Sequence, residues 1–521
     1  MKQIQSIEGE NMINAIDEMR NLLRNMDMGH MGGVTYDTAW VARVKSSDGK
    51  AVFPQAVEWL INTQKTDGSW GCEIVYYHDR ILSTLAALLA LTGICDGRQR
   101  YKTLIERGER YIWDNIDKLC EDKHETIGFE LLFPTLMADA EKAGLNLPFY
   151  KNHYGPLRDK KLNLIPKEYI YSKKTTVAHS IEFMGEEVDS AKLPAVQSEN
   201  GSVLNSPSAT AFFMSNVNEP VLESKAKRYI ETVLNLNGGT AMTIFPFELY
   251  EIPFVLNNFV YSEMPVQAFF GKHIDILRAY WNGAGISLST TFPITDLDDT
   301  AVAFKLLRLA GYNVDPMVFE KYEKEDHFLC YPFERNPSVA VNVHTLDALK
   351  YCKDYCRQEI MVEKILSFLK REMKCGAYWT DKYFPSPYYI TSHAILALSG
   401  IDKQLADKAV DWILANQNMD GSWGDYGGSP EETAFALQAL IHYHTYEEPL
   451  DIKHLLMAGQ YLESNLPHPP TPELWIGKCL YLPTNITRSV IIAAYYAYRT
   501  RIVQSSGIQN AAIPNQVEVV T

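Results

Sequence analysis

The sequence predicts an all-α fold with its helices stacked into rings, and three observations carry that prediction. Period-two alternation of apolar and polar residues, the mark of a half-buried strand, is scarce. Two distant segments are nearly the same: Gln64-Lys-Thr-Asp-Gly-Ser-Trp-Gly71 and Gln417-Asn-Met-Asp-Gly-Ser-Trp-Gly424. Each follows one helix-like run (Ala56-Val-Glu-Trp-Leu-Ile, Ala409-Val-Asp-Trp-Ile-Leu) and precedes another (Thr84-Leu-Ala-Ala-Leu-Leu-Ala, Thr433-Ala-Phe-Ala-Leu). Helix pairs that recur around a shared turn indicate stacked helices rather than an irregular bundle.

Along the chain, each element has its own signal. The opening Met1-Lys-Gln-Ile-Gln-Ser lacks the apolar centre of a secretory signal. The longest apolar stretch, Ile81 to Ile94, is too short to span a bilayer and contains Ser and Thr, so it reads as a buried helix. A weaker copy of the repeat begins at Gln197-Ser-Glu-Asn-Gly-Ser202 and leads into Thr210-Ala-Phe-Phe-Met. In every copy the Asp-Gly or Asn-Gly step marks a tight turn. The tail from Ser505 to Thr521 is polar and is expected to be disordered.

Composition narrows the functional classes. A chain of 521 residues, 46% of them apolar, has material for two or more domains with large cores. The net charge of −15 argues against nucleic acid as a partner. It leaves room for an anionic small molecule at a locally basic site. Arg158, Lys160, Lys161, Lys167, Lys173 and Lys174 form one basic run, which read by charge alone is a solvated loop. Eight cysteines without a CxxC pair give neither a zinc nor a disulfide framework, so a reducing cytoplasm is the expected location.

The stretch Pro293-Ile-Thr-Asp296-Leu-Asp298-Asp299-Thr300-Ala-Val-Ala-Phe304 carries the chemistry. Acids at a helix N-terminus are ordinary capping. Three within four residues, beside so apolar a run, exceed what capping requires. Crowded, desolvated carboxylates resist ionising, and such a cluster can hold a proton at neutral pH. Asp298-Asp299-Thr300 also lines up with Glu431-Glu432-Thr433, so an acid before an inner helix belongs to the repeat itself. Asp296 is the additional carboxylate.

Together these motifs resemble the class II terpene cyclases, specifically the bacterial diterpene cyclases related to copalyl diphosphate synthase. The resemblance rests on the Asp-x-Asp-Asp element, the Gln-x-x-Asp-Gly-Ser-Trp turns, and several further motifs in order. These are Tyr36-Asp-Thr-Ala-Trp40, His78-Asp-Arg-Ile-Leu-Ser-Thr84, Gly128-Phe-Glu-Leu-Leu-Phe-Pro134, Ser386-Pro-Tyr-Tyr-Ile-Thr-Ser-His393 and Trp475-Ile-Gly-Lys-Cys-Leu-Tyr481. It covers roughly Gly33 to Arg499. It implies two α/α-barrel domains, β and γ, with the reacting cavity between them. Residues 1–32 would form an N-terminal helix packed on the β domain, 33–235 the γ domain, and 236–504 the β domain with the acid motif.

The resemblance also implies roles. Asp298 would protonate the terminal alkene of geranylgeranyl diphosphate, flanked by Asp296 and Asp299, with Asn342 hydrogen-bonded to Asp298. His179 matches a histidine that serves deprotonation through water; Thr243 stands where its asparagine partner is expected, so the dyad is incomplete. Glu130 would hold Mg²⁺, and Lys161, Lys167, Lys478 and Arg488 would bind the diphosphate. Trp281, Tyr331, Trp379, Tyr388, Tyr389 and Trp475 are candidates for an aromatic wall that stabilises cations without reacting with them. No Asp-Asp-x-x-Asp ionisation motif is present. The expected product is therefore a bicyclic diphosphate of labdane, halimadane or clerodane type, passed to a downstream class I terpene synthase or phosphatase.

Three alternatives stay open in the sequence. Farnesyl diphosphate would give a drimenyl-type product; a squalene- or hopene-type cyclase shares the acid motif but needs no Glu130 or Lys161; a non-catalytic toroid would bind an isoprenoid. The sequence leaves oligomeric state open.

Overall fold

A computed structural model describes residues 15–264, 270–466 and 471–504; the predicted disordered tail lies outside them, as does the start of the N-terminal segment. Helices dominate, and the only strands among the described residues are two two-stranded hairpins.

The most deeply buried helices form two closed rings. In the first, Thr35–Ala42, Tyr77–Gly93, Phe129–Lys142, the 3₁₀ segment Thr176–Glu187 and Pro207–Asn216 each pack on the next, and the last packs on the first. In the second, the order is Glu248–Tyr261, Leu297–Leu309, Val339–Leu349, Pro387–Leu398, Pro430–Tyr446 and Thr484–Ala497, again closing on itself. Helices apolar on every side belong inside. More polar, amphipathic helices back them: Lys102–Asn115 and Pro220–Leu236 on the first ring, Gln358–Glu372, Lys403–Ala415 and Ile452–Asn465 on the second. This is the predicted architecture of two α/α barrels.

Each ring encloses its own core; Cys72, Ile74 and Tyr76 reach across into the second, and Phe292, Ile294 and Cys479 into the first. The side chains of Ala15, Met19, Leu22 and Leu23 join the second core.

The repeated turn explains why inner and outer helices stay in register. Gln64, Gln197 and Gln417 each donate from Nε2 to the glycine carbonyl of their own turn and to a carbonyl of the next outer helix. Gly68, Gly201 and Gly421 sit at φ near +90°, where a Cβ would strike a backbone carbonyl oxygen within 2.6 Å, so only glycine fits. After the turn, a backbone N–H is latched to a threonine hydroxyl on the inner helix: Trp70 to Thr84, Val203 to Thr210, Trp423 to Thr433. Two further latches run from Ile286 to Thr300 and from Trp379 to Thr391, the second in a copy that sequence reading missed. The first places the acid motif inside the repeat.

Candidate active site

Asp296 is the N-cap of Leu297–Leu309, and its Oδ1 accepts the backbone N–H of Asp299 at 2.8 Å. Asp296 and Asp299 are each only 3% exposed. Burial pushes the carboxyl of Asp296 up to about 7, and burial with the charges of Asp296 and Asp298 pushes Asp299 well above the carboxylate range. Asp296 and Asp299 therefore resist ionising near neutral pH, against the helix dipole, which favours ionised acids at this end. Asp298 differs: its side chain is 18% exposed, so it is the trio's contact with the space outside the helix.

The bond expected from Asn342 to Asp298 is corrected. Asn342 Oδ1 accepts from the Phe328 N–H, and its Nδ2 donates to the carbonyls of Phe328 and Ser338, which fixes a loop. The partner of Asp298 is His344, with Nδ1 to Oδ1 at 2.6 Å, on the same buried helix as Asn342. His344 Nε2 lies 2.8 Å from His393 Nδ1 and 3.5 Å from the Tyr389 hydroxyl. Each is the one histidine of an inner helix buried along its whole length, and His393 stands inside a motif already singled out.

The aromatic candidates separate. Tyr389 stacks on Phe384 and meets Trp475 edge-on, so these two belong to one aromatic cluster beside His344. Tyr331 packs against both cores, as do Tyr250 and Tyr481, which sequence reading missed. Trp379 is corrected: fully buried, its Nε1 donates to the Leu369 carbonyl as Trp70 and Trp423 donate to theirs, so it is a repeat tryptophan. Tyr388 points outward onto Trp412 of the backing helix, and Trp281 leans on Phe304. Neither joins the Tyr389 cluster.

Two of the cation assignments are also corrected. Lys478 is buried and donates to Glu182 Oε1, Ser206 Oγ and Ser208 Oγ, all at 2.7 Å. Arg488 pairs with Glu18 at 2.6 Å and with the Leu466 carbonyl. Their charge is spent on holding elements together. Lys161 and Lys167 are exposed, and Lys161 contacts the half-buried carboxylate of Glu130. Among the described residues no three potential ligands gather around one point. A magnesium ion shared with a diphosphate needs only one or two protein carboxylates, and Glu130 beside Lys161 fits that need.

His179 donates from Nδ1 to the Leu204 carbonyl, 2.9 Å away. Burial and the nearby Lys478 charge hold its ring down at about 3. Thr243 is buried next to Gly477.

A check on the acid trio follows from Asp296. Its folded pKa is raised, so the stability linked to its proton is present at low pH and lost as pH rises through about 7. Asp296→Asn keeps the cap and removes the titration. Chemical denaturation should show the variant gaining on the wild type by on the order of 2 kcal/mol between pH 5 and 8. No pH-dependent gap would mean that Asp296 is already ionised.

Residues 333–442 match the family model of the squalene-hopene cyclase C-terminal domain. The chain is 33% identical over 499 residues to the type B diterpene cyclase of Mycobacterium tuberculosis, covering 92% of this chain and 98% of that one. Its fold matches the ent-copalyl diphosphate synthase of Streptomyces platensis (TM-score 0.77, 24% identity, 93% of this chain and 99% of that chain). It also matches the Arabidopsis thaliana ent-copalyl diphosphate synthase (TM-score 0.69, 25% identity, 93% of this chain and 63% of that chain). No helix among the described residues is long and apolar enough to cross a membrane. Similarity to a diterpene cyclase over nearly the whole chain, with an acid trio at the mouth of a closed α/α barrel, makes this protein a member of the class II diterpene cyclase family.

Proposed function

We propose that the protein cyclises geranylgeranyl diphosphate to a bicyclic diterpenyl diphosphate of labdane, halimadane or clerodane type, with the diphosphate retained. The observation that carries this reading is the division of labour in the acid trio: two buried carboxyls that resist ionising and one, Asp298, that reaches out of the helix. An alkene is a very weak base, so its proton donor must be strong and sheltered from water. Asp298 transfers its proton to the terminal alkene: the O–H bond breaks, and the π pair forms the new C–H bond. His344 holds the carboxylate that results. Aromatic faces at Tyr389 and Trp475 accommodate the migrating positive charge.

Ring closure begins at the end of the substrate remote from the diphosphate, and the exposed Lys161 and Lys167 are the cations that would bind that anion. When bound there, Mg²⁺ would neutralise diphosphate charge, with Glu130 as its protein ligand. Two relatives support the C20 substrate. The Mycobacterium protein is a diterpene cyclase, and the Arabidopsis enzyme was crystallised in complex with an aza-dihydrogeranylgeranyl thiolodiphosphate. Farnesyl diphosphate, giving a drimenyl-type product, is the second substrate to offer. A class I terpene synthase or a phosphatase would consume the product. Incubation with geranylgeranyl diphosphate and Mg²⁺, dephosphorylation and mass spectrometry should yield a bicyclic C20 alcohol. Recovery of geranylgeraniol alone would sink the proposal.

A further inference from the structure

Glu431 occupies the place in the repeat that Asp298 occupies. Each is the second residue of its inner helix, after a cap that accepts the N–H three positions on: Asp296 from Asp299, Ser429 from Glu432. Each stands two residues before the threonine that latches the preceding turn, Thr300 or Thr433. Their helices are second and fifth in a closed ring of six. Equivalent register on opposite members puts the two carboxyl groups at one level, on facing walls of the barrel mouth.

The repeat alone would make Glu431 a structural acid, and its hydrogen bonds say otherwise. Oε1 accepts from both Trp475 Nε1 (2.8 Å) and Thr487 Oγ1 (2.9 Å). Both donors fall on the same oxygen. Oε2 is buried and has no hydrogen-bond partner among the described residues, an arrangement that calls for an explanation. Glu431 lines a small cavity, about 10 Å³, with the aromatic cluster of Tyr389, Trp475, Phe384 and Phe435. Tyr389 also reaches His344, so one ring links the surroundings of both carboxyl groups.

We propose that Glu431 is the base that ends the cyclisation, accepting at Oε2 the proton lost by the final carbocation. The inference rests on the cyclase reading above. A C–H bond next to the cationic carbon breaks, its electron pair becomes the new π bond, and the carboxylate becomes a carboxylic acid. The proton then passes to water, and Asp298 is reloaded from water, so the reaction consumes no proton overall. Burial pushes Glu431 up to about 7, which makes it a better acceptor than His179 at about 3.

Glu431→Gln keeps an acceptor for Trp475 and Thr487 and removes the base. With geranylgeranyl diphosphate and Mg²⁺, the folded variant should still consume substrate. More than about half of its product should be a different alkene isomer or a water-captured alcohol, against a single alkene from wild type. The same alkene in the same proportion, at any rate, overturns the proposal. So does a folded variant without product, because loss of a terminal base leaves the initiating acid intact. Should Glu431→Gln fail to fold, Glu431→Asp is read the same way: a changed isomer ratio supports the base, an unchanged one leaves Glu431 a prop for Trp475. A wild-type enzyme that leaves the substrate uncyclised refutes the cyclase reading instead.

Discussion

Asp298→Ala abolishes turnover, by at least about 10³-fold, while the melting temperature stays within about 3 °C of wild type. The rate loss follows from the role: a general acid is worth about 10²–10⁴ in rate, and an alkene has no other way to start. The small effect on stability follows from the geometry. The side chain is partly exposed, and its one hydrogen bond among the described side chains is to His344, which keeps its link to His393. Product formation from geranylgeranyl diphosphate and a melting curve on the same preparation check both halves. Normal cyclisation by the variant would move the acid to another residue.

Lys478→Ala should do the reverse, lowering stability by about 3–5 kcal/mol while leaving the KM for the diphosphate substrate nearly unchanged in whatever enzyme remains folded. Lys478 and Glu182 are both fully enclosed, and the ammonium is also shared with Ser206 and Ser208. Removing it leaves Glu182 as a buried charge, close to Asp37, whose own carboxyl is already up at about 6 through burial. An unpaired interior charge is among the most damaging defects a fold can carry. Denaturant titration measures the loss. A variant of wild-type stability with a raised KM would return Lys478 to the diphosphate site.

The difference between these residues was not legible in the sequence. The turn repeats and the acid run are local patterns, and they disclosed the helical rings and the position of Asp298. Burial is not local. Lys478 and Lys161 are equally basic on paper, yet one faces Glu182 inside the protein and the other stands at the surface. Asn342 was chosen because it stands in a recognisable setting, but the helix turns His344 toward Asp298 and Asn342 toward the Phe328 loop. Trp379 looked like a wall of the cavity because its turn, Lys374-Cys-Gly-Ala-Tyr-Trp379, has drifted from the repeat; only the bond to the Leu369 carbonyl reveals what it is. Glu431 was visible as an aligned acid, and its bare oxygen was not.

Closure of the six-membered ring has a consequence for how this scaffold acquires new products. Every inner helix is braced by a neighbour on each flank, and four of the six also by a capping side chain at their start, so a rim residue outside those caps and latches carries little of the burden of folding. A substitution there alters the surface that a transient cation meets while the frame behind it holds still. Diversity of outcome can then accumulate one rim position at a time, without the chain having to rediscover how to fold.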